Sequence, residues 1–234
     1  MKISIITGCY NRRATLEGAI KSVIEQDYPN IEYIIVDGAS KDGSIDLIKK
    51  YAELTATDDF KREHPRFTFR YISEPDHGMY EALNKGIRMA TGDIIGLVHS
   101  DDFLFDNHVL TDIATEFEDS DADFVYGDGL FVNSNDTNMA VRNWVGGSYS
   151  KQKVKLGWLP LHPTCYIKRQ AFLKVGFYNE SYKIAADTDF LIRALYEEDL
   201  KVSYLKRYIV RMRMGGLSTD KSKRKAMWKE DIAV

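Results

Sequence analysis

The sequence predicts an α/β protein built on a doubly wound, mostly parallel (mixed) sheet flanked by helices and folded as a single domain. Three observations carry that expectation. Short apolar runs of strand length alternate with segments whose apolar residues recur at helical spacing, the alternation that right-handed β-α-β crossovers require. The chain has 234 residues, 44% apolar and 29% charged, which is the make-up of a globular domain able to close a core without disulfide or metal. Its two cysteines, Cys9 and Cys165, lie far apart and outside any CxxC or Cys/His ligand spacing, so neither a disulfide framework nor a zinc site organises it.

The first strand is residues 3–7, closed by Gly8; Leu16, Ala19, Ile20, Val23 and Ile24 then share one face of a helix that Tyr28-Pro29-Asn30 ends. The unit repeats. Residues 31–36 form a second apolar run ending at Asp37-Gly38, and Ile45, Leu47, Ile48 and Tyr51 mark the helix after it. Residues 55–66 are polar and without periodicity, so an exposed connection is expected there, leading to a third strand at 67–72. A helix over 80–90, a fourth strand over 93–98 and a helix starting near Asp106 follow. Beyond about residue 120 a strand at 124–126 precedes Gly127, Gly129, Asn133, Asn135, Asn138, Gly146 and Gly147, turn signals that predict a mixed or antiparallel edge. Phe190, Leu191, Ala194 and Leu195 share one face of a helix expected over 187–198, and a last strand is expected at 202–205.

Charge and hydropathy narrow the partners. Lys and Arg total 32 against 35 Asp and Glu, a formal net charge of −3, so no global basic surplus recommends nucleic acid, and a bound anion must be met by local groups. The apolar opening is too short for a signal-peptide core, and no window approaches the roughly 18 consecutive apolar residues of a membrane span. With the sparse cysteines, this makes a reducing cytoplasm the expected location. The fourteen tyrosines suit a groove for polar ligands as well as a core.

In an open α/β sheet ligands bind beyond the carboxyl ends of the strands. The residues following the predicted strands are strongly polar: Thr7, Tyr10 and Asn11 after the first, Asp37, Ser40 and Asp42 after the second, Glu74, Asp76 and His77 after the third, Ser100, Asp101 and Asp102 after the fourth. Carboxylates gathered at one sheet edge raise one another's pKa unless a cation intervenes, and carboxylates with phosphate oxygens suit Mg²⁺ or Mn²⁺. The first loop, Gly8-Cys9-Tyr10-Asn11-Arg12-Arg13, lacks the GxGxxG of a dinucleotide fold, and no P-loop is present. A phosphate would then be neutralised by metal and side chains instead of a glycine cradle.

These residues resemble a known family. Ile5-Ile6-Thr7-Gly8-Cys9-Tyr10-Asn11, Ser22-Val23-Ile24-Glu25-Gln26 and Val36-Asp37-Gly38-Ala39-Ser40-Lys41-Asp42-Gly43 look like the opening of family 2 glycosyltransferases. The likeness continues through Glu74-Pro75-Asp76-His77-Gly78-Met79-Tyr80-Glu81-Ala82-Leu83-Asn84-Lys85-Gly86, then Ala90-Thr91-Gly92-Asp93, then Ser100-Asp101-Asp102 where the family has its DXD-type motif. It ends at Ala186-Asp187-Thr188-Asp189-Phe190-Leu191-Ile192-Arg193, although Ala186 stands where many members carry an acidic residue.

The resemblance implies a GT-A fold filling residues 1–234, with 1–120 as the nucleotide-sugar half and 121–234 as the acceptor side. It implies an inverting, metal-dependent transfer of sugar from a nucleotide donor, UDP above all, to a hydroxyl of a glycan or lipid-linked acceptor in polysaccharide or lipid-linked glycan assembly. Thr7, Tyr10, Asn11 and Asp37 would serve the nucleotide, with Tyr10 near the base and Asp37 accepting from its ring N–H. Asp76, Asn84 and Lys85 would line the donor pocket, Asp101 would meet the ribose or the metal's outer shell, and Asp102 would bind the Mg²⁺ or Mn²⁺ that bridges the diphosphate. Asp187 would be the catalytic base, with Asp189 as the alternative. A nucleotidyltransferase on a related sheet and a non-catalytic sugar-nucleotide binder are the competing functions. His162 is a candidate contact for diphosphate or acceptor beside its ordinary reading as a packing residue; His77 and His99 are weaker candidates. Residues 221–229, with five basic side chains around Met227 and Trp228, are a candidate for peripheral contact with an anionic membrane surface or a solvated tail.

Overall fold

β1 (Ile3–Cys9), β2 (Ile31–Asp37), β3 (Thr68–Ser73) and β4 (Ile94–Leu97) run parallel in the order β3-β2-β1-β4 in the computed structural model, which describes residues 1–215. Ile3 of β1 stands opposite Ile31 of β2 on one side and Ile94 of β4 on the other. Side chains alternate across a strand, so these runs supply two cores, one on each face. Ile3, Ile5, Tyr33 and Ile35 pack with α1 (Arg13–Ile24), α2 (Ser44–Ala56) and, further on, α5 (Val109–Ser120). Ile6, Ile34 and Val36 pack on the other face with α4 (Met79–Met89), α7 (Arg169–Val175) and α8 (Ala186–Ile192). Leu16, Ala19, Ile20, Val23 and Ile24 of α1 are all buried, as their spacing requires, and each large aliphatic among them contributes about 1.5–3 kcal/mol by leaving water.

Beyond β4 the sheet changes sense, as the turn-rich sequence predicts. β8 (Tyr166–Lys168) lies antiparallel to β4, and β6 (Phe124–Val132) antiparallel to β8. β9 (Val202–Arg213) runs parallel to β6, while β5 (Phe103–Leu104) caps its far end antiparallel and β7 (Ala140–Trp144) forms a hairpin with β6. The completed order is β3-β2-β1-β4-β8-β6-β9-β5. The junction of β4 and β8 rests on Gly96, where a Cβ would stand 2.2 Å from a ring carbon of Tyr166.

Two expectations about local structure are corrected. Residues 55–66 are largely exposed, as expected, but they hold a regular element that was not expected: α3 (Asp58–Glu63), capped by the Thr57 side chain accepting from Phe60 N–H and carrying Asp58 and Asp59 in its first turn. It buries no residue, which is why no apolar period announces it. The last strand does not stop at residue 205 but continues to Arg213, alongside β6 for most of its length. The helix expected over 187–198 is α8 followed by one π-helical turn, Arg193–Glu197, and the short α6 (Lys151–Lys155) and α7 are additional elements. No helix among the described residues is long and apolar enough to cross a membrane, and residues 221–229 lie outside the described residues.

Candidate active site

A cleft of about 450 Å³ opens at the carboxyl ends of β1 and β4 and is closed on its far side by the end of β9 and the start of α8. Five of the ten residues expected at the site line it: Tyr10, Asp76, Asp101, Asp102 and Asp187. They arrive from four separate segments, each at or just past the end of a strand or at the first turn of a helix, so the sheet topology brings them together.

The two carboxylates after β4 differ sharply in environment. Asp102 is buried, and among the described residues its Oδ1 accepts the backbone N–H of Arg213, at 3.1 Å. Burial first, and the Asp101 charge second, push its pKa well above the ordinary carboxylate range. Arg213 also donates from its guanidinium to the Asp101 carbonyl at 2.6 Å, and its charge partly opposes the shift on Asp102. Nothing in the sequence marks Arg213 for this place, because the strand that delivers it is expected to stop eight residues earlier, at 205.

Asp187, the expected base, and Asp189, its alternative, are separated by their partners. Asp189 is bound by Arg193 through two nitrogens, at 3.1 and 2.7 Å, and the same guanidinium donates to the carbonyls of Val175 and Phe177, so this carboxylate ties α8 to the end of α7. Asp187 faces the cleft. Its Oδ1 accepts from Thr188 N–H at 2.9 Å and from the Tyr80 hydroxyl at 3.2 Å, a hydroxyl that also donates to the Ile184 carbonyl. Burial raises its pKa, and the two hydrogen bonds oppose the shift. Tyr80, in the first turn of α4, joins the site although the sequence signals it only as part of a helix face.

The other five expected residues sit off the cleft. Thr7 is buried beneath the floor, its hydroxyl donating to the Val98 carbonyl at 2.6 Å and paired with the Tyr33 hydroxyl at 3.0 Å. Asn84 joins α4 to the segment before α8: its amide donates to the Tyr178 carbonyl and to Glu180, and its Oδ1 accepts from Tyr178 N–H. Lys85 is paired with Glu74 at 2.9 Å and Glu81 at 3.0 Å. Asn11, in the left-handed region at φ 52°, accepts from Lys41 N–H through Oδ1, and its own N–H donates to the Ser40 hydroxyl, which fastens the loop after β1 to the loop after β2. Arg13 N–H donates to Asp42 across the same seam.

Asp37 is fully buried behind the lining. One of its oxygens accepts from Ser40 N–H and from the Ser73 hydroxyl, while Oδ1 has no partner among the described residues. Such an acceptor costs about 1–3 kcal/mol unless a donor reaches it. Asp76 lies beside it and closes over Gly38, where a Cβ would come within 2.5 Å of Asp76 Oδ2. Burial is the main reason the Asp76 pKa is raised, and the Glu81 and Asp37 charges add to it. Two histidines line the cleft as well: His99 follows β4, and His162, buried, has its Nε2 2.8 Å from the Tyr178 hydroxyl.

The profile of glycosyl transferase family 2 matches residues 4–181, more than half of the chain. The chain belongs to that family. Among curated relatives, the PGL/p-HBAD biosynthesis glycosyltransferases of Mycobacterium bovis and Mycobacterium tuberculosis are 28% identical over 219 residues, 92% of this chain and 78% of theirs. S. aureus TarS 1-349 in complex with UDP-GlcNAc superposes with a TM-score of 0.71 at 18% identity, covering 98% of this chain and 64% of that one. The mannosyltransferase PcManGT from Pyrobaculum calidifontis, in complex with GDP-Man and Mn²⁺, gives 0.67 at 17% identity, covering 100% and 64%. The chain spans 37% of the length of the longer TarS structure. The fold is GT-A, and the family's chemistry is sugar transfer.

The PcManGT structure is a complex with Mn²⁺, and carboxylates such as those of this cleft are the ligand type a hard divalent cation takes. Asp102 is a buried carboxyl with a single backbone donor among the described residues and an anionic neighbour, a setting that a cation relieves. No group of three His, Cys, Asp or Glu side chains gathers as a metal site among the described residues.

Proposed function

We propose that this family 2 enzyme is an inverting transferase that moves a sugar from a UDP-sugar to a hydroxyl of a glycan or lipid-linked acceptor. The observation that carries the proposal is the division of labour between two carboxylates two residues apart, Asp187 open to the cleft and Asp189 committed to Arg193. Asp187 as base takes the proton of the acceptor hydroxyl while that oxygen forms its bond to the anomeric carbon. The bond from that carbon to the diphosphate oxygen breaks on the opposite face, and its electron pair leaves with UDP. A carboxylate in a partly desolvated pocket is a stronger base than one in water, and general-base assistance of this kind is worth about 10²- to 10⁴-fold. Tyr80 holds Asp187 in position through its hydroxyl.

Asp101 and Asp102 are the residues that would hold Mg²⁺ or Mn²⁺, which when bound neutralises the charge growing on the leaving diphosphate. Asp37, with its unpartnered Oδ1, is suited to accept the imide N–H of uracil, and Tyr10, largely exposed at the rim, offers a ring to stack on the base. Asn11 and Thr7 act on the donor through the shape of the loops they brace, and Asn84 and Lys85 through the segment around residues 74–85 that carries Asp76.

The test is nucleoside diphosphate release from a panel of UDP-sugars and from GDP-mannose with Mn²⁺, with and without EDTA, for the wild type and Asp187→Asn. The expected result is metal-dependent release that Asp187→Asn abolishes while UDP-sugar binding persists. Near-normal turnover in that variant removes Asp187 from the role, and release from GDP-mannose alone removes UDP.

A further inference from the structure

A second cavity, of about 150 Å³, adjoins the cleft on the side of α4 and the segment before α8. The two cavities share Gly78, Met79, Tyr80 and Lys183, so residues 78–80, with Lys183 from the segment before α8, form the rim that divides them. At the middle of that rim Gly78 has φ +147°, and a Cβ built there would meet nothing within 4 Å. The His77 carbonyl beside it accepts from Lys183 Nζ at 3.2 Å, so the divide is low at Gly78 itself, and there a ligand can lie in both cavities at once. Tyr80 forms a wall of each and reaches Asp187 through its hydroxyl, so this cavity lies one side chain away from the proposed base.

The lining fits an uncharged, hydroxyl-rich ring. Glu180 gives one oxygen, Oε1, to the Asn84 amide and keeps the other for a ligand. Tyr182, half-buried, offers a ring face and a hydroxyl that makes no hydrogen bond to another described residue. The His77 side chain is 92% exposed at the mouth, held on one side by Glu81. Lys85 is shared between Glu81, at 3.0 Å, and Glu74, at 2.9 Å, so the lining carboxylates Glu81 and Glu180 outweigh the lining ammonium of Lys183, and a slightly acidic cavity disfavours a phosphate or a carboxylate. Paired acceptors and donors around an aromatic face suit the alternating hydroxyls and apolar C–H face of a sugar.

The geometry points to this side cavity as an acceptor subsite that holds an uncharged sugar ring of a glycan and lays the attacking hydroxyl across Gly78 to Asp187. The inference rests on the transfer reaction above and adds where the acceptor is read. In that reaction the acceptor O–H loses its proton to Asp187, the new C–O bond forms at the anomeric carbon, and UDP departs with the electron pair of the broken bond.

The experiment is calorimetric titration of the full chain, loaded with UDP and Mn²⁺, with millimolar maltose, lactose, cellobiose and chitobiose. Tyr182→Ala removes the ring face, and Glu180→Gln keeps an oxygen for Asn84 while removing the free carboxylate oxygen. At least one saccharide is expected to bind the wild type, each variant is expected to weaken it by about tenfold, the effect of one lost ring face or hydrogen bond, and UDP affinity is expected to stay the same. Absence of saccharide binding to the wild type overturns the inference, and so does binding that neither variant weakens. Failure of UDP to bind the wild type counts against the donor proposal, and the saccharide titration still decides this one.

Discussion

His162 makes the stability of this enzyme sensitive to mild acid. Its ring is buried in the 3₁₀ turn His162–Thr164 against the Tyr178 hydroxyl, and burial, with His99 as the lesser cause, pushes its pKa down to about 3. In the unfolded chain an ordinary histidine takes up its proton near pH 6.5. At pH 7 the ring is neutral in both states. As pH falls below about 6.5 the unfolded chain gains a proton that the folded chain refuses until about pH 3, so stability drops by roughly 1.4 kcal/mol per pH unit across that window. Between pH 7 and pH 5 the loss is about 2 kcal/mol, a large part of the 5–15 kcal/mol that holds a typical domain. Urea unfolding of the wild type and His162→Gln at both pH values isolates the contribution, because the glutamine amide can still accept from Tyr178 and does not titrate. The wild type should lose about 2 kcal/mol more than the variant. Equal losses in the two proteins would refute the reasoning and mean that the ring is protonated in the folded state.

Three further outcomes are expected. Tyr80→Phe removes a hydrogen bond that favours the ionised form of Asp187, so the acid limb of the kcat/KM profile should move to higher pH; an unmoved limb with lower activity means the phenol matters only for packing. Gly96→Ala places a methyl 2.2 Å from the Tyr166 ring and should cost about 1–3 kcal/mol of overpacking, read as a lowered Tm, and an unchanged Tm shows that the β4–β8 junction gives way. Arg193→Ala leaves the Asp189 carboxylate and the carbonyls of Val175 and Phe177 without their donor; a loss of about 2–3 kcal/mol in urea is expected, with donor binding retained, and no loss would mean water replaces the guanidinium.

The parallel half of the fold is legible in the sequence because its strands are buried on both faces and its helices are amphipathic. Ile3, Ile34 and Ile94 need no partner-specific information to be placed in a central sheet. β9 is harder, since Lys206, Arg207, Arg211 and Arg213 interrupt its apolar pattern, and two of these charges are met by contacts formed only in the folded chain, Arg207 with Asp106 and the Arg213 guanidinium with the Asp101 carbonyl. The site divides the same way. Asp101, Asp102, Asp76 and Tyr10 follow from strand ends, whereas Asn84 and Lys85 carry motif-like positions yet spend their polar groups on Tyr178, Glu180, Glu74 and Glu81. A motif fixes which residue stands at a position; which neighbour takes its hydrogen bonds depends on chain segments about a hundred residues away, as with Tyr80 and Asp187.

The seam between the loops after β1 and β2 has a thermodynamic consequence. Asn11, Ser40, Lys41, Arg13 and Asp42 fasten the two loops to each other with backbone groups on both sides, and Asn11 and Ala39 hold left-handed conformations at φ 52° and 60° to permit it. The entropy of ordering this wall is thus lost during folding and not at each encounter with the donor. Association at this end of the cleft should be that of a rigid receptor, with little heat-capacity change beyond the apolar area covered, and differences in affinity between nucleotides should appear in their dissociation rates.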